Sequence, residues 1–165
     1  MAARYLIHVQ AGGAPAGKAE AAALRRAARA VLVHEGAASP AELTLLVTTD
    51  ERMRDFNRRF LGEDRPTDVL AFPSPPGLDE PGRRYLGDLC ISLHRAVEQA
   101  RSGGHPLTAE LSLLVVHGVL HLLGHDHDQR ARKARMWKAQ GDILEGLGYP
   151  RLPGTARGVT IRRKA

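Results

Sequence analysis

The chain has 165 residues, 43% of them hydrophobic and 25% charged, enough for one domain with a real core and unlike a disordered segment. No apolar run approaches the roughly 20 residues that span a bilayer, MAARYLIHVQ has too short an apolar core for a signal peptide, and one cysteine, Cys90, rules out an internal disulfide; the expected setting is the cytoplasm. A net charge of +6 favours an anionic partner such as nucleic acid, and with aromatics at 4% the contact would run through phosphates rather than a base-stacking platform.

Tyr5 to Gln10 alternates as a first strand, and a Gly/Ala/Pro turn follows at Ala11 to Gly17. Ala19 to His34 reads as a helix with one buried face, its Arg25, Arg26 and Arg29 forming a solvated side. Leu43 to Thr48 reads as a second strand. Asp50 is placed to cap the next helix, where Met53, Phe56 and Phe60 recur at helical spacing. Gly62 to Asp68 is a polar turn before the short strand Val69 to Phe72. Pro73 to Gly82, with four prolines and two glycines, reads as a mobile loop inside the domain. Leu86 to Ser92 is a further strand, with Cys90 a small buried hydrophobe. Helices are expected at 93–102, 107–123 and 129–146, the last capped by Asp128 and closed by Gly146 and Gly148. The pattern is α+β: a small sheet of about four strands with helices packed on it, one domain over 1–150, then a basic, flexible tail over 151–165 able to add phosphate contacts.

The stretch HGVLHLLGHDH, His117 to His127, carries the chemistry. His117 and His121 stand four apart in the apolar run Leu111 to Leu123, so both rings leave one helix face a turn apart. Gly124 can take the left-handed conformation that ends a helix, and the returning chain can bring His125 or His127 against the pair. Such an open three-nitrogen set, with a fourth position for water, is the layout of a catalytic zinc site. A lone histidine on an apolar helix is ordinarily a core residue, but four in eleven positions, out of 8 in the chain, would need more polar partners than the local sequence offers.

The spacing matches the long zinc-protease motif HExxHxxGxxH except that Gly118 stands where the glutamate base belongs. Gly118 cannot shuttle a proton to a leaving amine, which argues against a peptidase. It leaves hydrolysis open, since zinc alone brings the pKa of water to about 7.

DRPTDVLAFP (Asp64 to Pro73), LGDLCIS (Leu86 to Ser92) and HGVLHLLGHDH together resemble, in order and spacing, the YbeY family of bacterial endoribonucleases, from about Leu43 to Tyr149. The resemblance implies a small mixed sheet with helices and a cytoplasmic, zinc-dependent, single-strand-directed endoribonuclease. It implies action on ribosomal RNA or ribosomal subunits, in 16S rRNA 3′-end maturation and ribosome quality control. It also implies one zinc per chain, held by His117, His121 and His127. His125 is then the less favoured ligand, since many members carry phenylalanine or tyrosine there.

One departure is Leu61, at the position before Gly62 where many members have an arginine thought to bind or cleave RNA. Arg58, Arg59 and Arg65 lie close by, with Arg59 and Arg65 the candidate phosphate contacts. In the expected mechanism the metal polarises a phosphoryl oxygen and a nearby arginine stabilises the charge that develops; water and the ribose 2′-OH both stay open as nucleophile. No general base stands out: Asp126 reads either as a partner of a ligating imidazole or as a turn residue, Thr67 and Asp68 as loop-fixing, and Asp88 as structural. Two other classes fit the same residues: a ribosome-assembly factor with structural zinc, and a metallo-hydrolase of another substrate.

Overall fold

A computed structural model describes residues 2–75, 79, 81–126, 128–149 and 152, and the backbone of 160–161. The mixed sheet is built from β1 (Tyr5–Gly12), β2 (Ala41–Thr48), β3 (Val69–Pro73), β4 (Arg84–Ser92) and the two-residue β5 (Thr160–Ile161), in the spatial order β1-β2-β4-β3-β5. β1, β2 and β4 run parallel, β3 is antiparallel to β4, and β5 is parallel to β3. The fold is α+β, with the four expected strands. β5 was not expected; it lies within 151–165, most of which is outside the described residues, as are 76–78 and 80 of the proline-rich loop.

Strand parity sorts the side chains onto two faces. Leu43, Leu45 and Val47 of β2, Val69 and Ala71 of β3, and Leu89 and Ile91 of β4 belong to the main core, together with α1 (Lys18–His34), α4 (Leu107–Leu122) and α5 (Arg130–Gly146). The alternate residues Leu70, Phe72 and Cys90 meet Met53 of α2 (Asp50–Leu61) in a smaller cluster, with Leu46, Phe56 and Leu61 packed against it. α3 (Leu93–Gly103) links β4 to α4. Every residue of α4 from Ala109 to Leu122 is buried, so the histidine helix runs through the centre of the molecule. A helix apolar on all sides must be covered on all sides.

The observed elements begin and end within two residues of those expected, but the caps differ. The extended residue before α2 is Thr49, whose hydroxyl accepts from Arg52 N at 3.3 Å. Asp50 is already helical; its carboxylate accepts from Ser92 Oγ at 2.6 Å and from Arg95. The residue before α5 is likewise Gln129, which makes no side-chain cap bond, while Asp128 reaches Arg132 at 3.7 Å. Nor is the basic side of α1 merely solvated: Arg26 donates to Leu147 O at 3.0 Å and Arg29 lies over the Tyr5 ring. Gly148, at φ 92°, follows α5 after the cap residue Leu147.

Candidate metal centre

His117 is wholly buried and His121 5% exposed. Their positions one turn apart on α4 bring the ring centroids to 4.7 Å and the two Nε2 atoms to 3.1 Å. On its other side, His117 Nδ1 meets Gln140 Oε1 of α5 at 2.7 Å. An amide carbonyl only accepts, so Nδ1 carries the proton and Nε2 presents its lone pair toward His121. The Trp137 ring lies 5.4 Å from His117, tilted by 31°.

Two nitrogens bound to one tetrahedral zinc at about 2.0–2.1 Å lie about 3.3 Å apart. The spacing and tautomer of this pair therefore fit two positions of such a site. Beyond His121 the chain turns at Gly124, φ 97°, as its left-handed freedom allows. The turn sends His125 toward α1, where its Nε2 lies 3.2 Å from Glu35 Oε2. His127 lies outside the described residues, and among the described residues no group of three His, Cys, Asp or Glu side chains forms a metal site.

Gly118 faces β4. A Cβ there would meet Leu89 Cδ1, and would lie 2.9 Å from Cδ2 and 3.1 Å from Cγ, so that the Leu89 side chain would have to move. α4 thus crosses the sheet so closely that a glutamate in place of Gly118 would require the Leu89 side chain to shift.

The sequence model of the family described as endoribonuclease YbeY matches residues 15–148. The chain belongs to the YbeY family. That match reaches further toward the N-terminus than the three sequence motifs and takes in α1. A protein of Moorella thermoacetica named endoribonuclease YbeY is 41% identical over 88% of this chain and 97% of its own length. One of Chloroflexus aurantiacus with the same name is 43% identical over 81% of this chain and 90% of its own. A solution structure from Thermotoga maritima shares the fold with a TM-score of 0.55 at 23% identity, covering 93% of this chain and 99% of that one.

In this YbeY-family chain the candidate arginines lie away from the histidines. α2 packs on the sheet face opposite α4. Arg59 pairs with Asp55 at 3.1 Å and Arg65 with Glu63 at 2.8 Å. Arg58 also bonds Asp55, and Leu61 packs against the Met53 cluster. Parity likewise separates Asp88 from α4: it shares a face with Cys90, takes the Tyr85 hydroxyl, and lines a cleft with Phe56, Phe60 and Phe72. Burial, then the bond to Asp88, pushes Tyr85 up to about 12. Asp68 is buried at the start of β3, accepting from Val69 N at 2.8 Å and Gln99 Nε2 at 3.2 Å; burial pushes its carboxyl up to about 6. Sequence reasoning missed Gln140 and Trp137. The only local signal was a glutamine on the inward side of α5, which nothing nearby in sequence ties to His117.

Proposed function

We propose that this chain is a zinc-dependent endoribonuclease for single-stranded RNA, with His117, His121 and His127 holding the ion. The observation that carries the reading is the buried pair of Nε2 atoms 3.1 Å apart, with the His117 tautomer set by Gln140. Two buried imidazoles at this spacing suit a shared metal ion. No helix among the described residues is long and apolar enough to cross a membrane. We read this activity as serving 16S rRNA 3′-end maturation and ribosome quality control in the cytoplasm.

A zinc ion held there would supply Lewis-acid polarisation of a phosphoryl oxygen and activation of the nucleophile. The protein's own part is positioning. Gln140 keeps the His117 proton on Nδ1, Trp137 flanks the ring, and the core around α4 keeps water from the inner side of the pair. Arg59 and Arg65 can serve as phosphate contacts by exchanging Asp55 and Glu63 for RNA, at low cost because exposed pairs contribute only about 0–1 kcal/mol.

The test is cleavage of single-stranded ribosomal RNA by the zinc-loaded protein beside a folded His121→Ala variant. Cutting by the parent alone is expected. Equal cutting by both removes the histidines from the chemistry. RNA binding without cutting by either moves the chain to an assembly role.

A further inference from the structure

The first two turns of α5 read RARKAR, with Arg130, Arg132, Lys133 and Arg135 in six positions and no acidic residue in the first turn. This is the wrong sign for a helix N-terminus, where the aligned peptide dipoles already place partial positive charge. Cations three and four residues apart also repel one another. Further along, the same helix follows the usual rule, with Lys138 paired to Asp142 at 2.8 Å. Within the cluster the one ion pair is Arg132 with Asp128, at 3.7 Å. Arg130, Lys133 and Arg135 make none among the described residues. Among the described residues the cluster gives the fold one ion pair, at 3.7 Å, and its four cations are exposed.

Arg132 and Arg135, three apart and so on one side of α5, line a cleft of about 350 Å³ whose other wall is Leu123, Gly124, His125 and Asp126. That wall is the turn leaving α4 directly after His121. His125 is held there by Glu35, and Asp126 is the one carboxylate in the lining. Two guanidinium forks match the oxygens of a phosphodiester, and the exposed 3.7 Å pair of Arg132 with Asp128 is readily exchanged for one.

We propose that Arg132 and Arg135 form a phosphate subsite that seats a backbone phosphate flanking the one at the histidine pair. This inference rests on the RNA reading given above. It adds to the contacts of Arg59 and Arg65 a phosphate subsite on the α5 side of the metal centre, on the same face of the sheet.

The test measures binding of a labelled single-stranded 2′-O-methyl oligonucleotide, which keeps the phosphates, to the zinc-loaded full chain over a range of salt. Arg132→Gln/Arg135→Gln is compared with Lys18→Gln/Arg101→Gln, an equal charge change at two exposed positions. Lys18 opens α1, about 24 Å by helical rise from its far end near Glu35. The α5 variant is expected to bind at least tenfold more weakly than the control, and its slope of log affinity against log salt to flatten by about 0.7, one phosphate's worth for a single strand. Arg132→Glu/Arg135→Glu should bind more weakly still, by charge reversal at the subsite. Equal losses in the α5 and control variants overturn the subsite. A parent that neither binds the oligonucleotide nor cuts RNA refutes the RNA reading itself; a parent that binds, with an unaltered α5 variant, refutes the subsite alone.

Discussion

One hydrogen bond, from His117 Nδ1 to Gln140 Oε1, decides which ring nitrogen is left to act as a ligand. Gln140→Leu keeps the volume and removes the acceptor. Zinc affinity, measured by competition with a chromophoric chelator, should fall by about 10–100-fold. The orphaned ring N–H should also cost about 1–3 kcal/mol in thermal or urea unfolding of the metal-free protein. An affinity equal to the parent's would show that Gln140 does not orient the ring. The His117 and His121 spacing was legible because it is local and helical, whereas Gln140 lies 23 residues on and enters only when α5 docks. His125 shows the same limit. Sequence chemistry left it in competition with His127, and only the packing of the turn against α1 reveals Glu35 as its partner.

At the scale of elements, the close crossing of α4 over β4 is the feature most open to test. Gly118→Ala adds a methyl group where the Leu89 side chain already stands, and Leu89 is fully buried. Alanine favours a helix over glycine by about 1 kcal/mol, but overpacking a filled core costs about 1–3 kcal/mol. A net loss of about 1 kcal/mol is expected by chemical denaturation. In a Leu89→Ala background, where the space has been opened, the same change should become neutral or stabilising; a loss of the same size in both backgrounds would mean that the contact is not the cause. The helix itself was legible from its apolar run, yet its burial on every side was not, because α1, α3, α5 and the sheet all contribute to the cover. Caps were misread for a related reason. Thr49 and Asp50 are both good capping residues, and the choice fell to Thr49 because β2 ends at Thr48 and leaves the next residue extended.

For the molecule as a whole, Asp68 is a buried carboxyl that ties the start of β3 to α3 through Gln99, with Glu110 of α4 close enough to add repulsion. Burial raises its folded pKa from an ordinary 3.8 to about 6, so the native state holds this proton more tightly than the unfolded chain does. Its stabilising contribution is therefore complete below about pH 4 and is lost as pH rises through 6, by about 3 kcal/mol in all. Asp68→Asn does not titrate. The stability of that variant minus that of the parent, from urea unfolding, should climb by up to about 3 kcal/mol between pH 4 and pH 7. A difference that stays flat over this range would rule out burial as the cause.

Residue order alone determined the α+β pattern, the element sequence, the face shared by His117 and His121, and the three motifs that resemble the YbeY family. These depend on helical and strand periodicity and on neighbours along the chain. Tertiary structure decided the rest: Gln140 behind His117, Glu35 against His125, α2 and its arginines across the sheet from α4, and the arginine-lined cleft beside the histidine turn. Those contacts join residues far apart in sequence. Which ones meet depends on the face each strand presents and on how closely each helix lies on it, quantities that exist only once the core has packed.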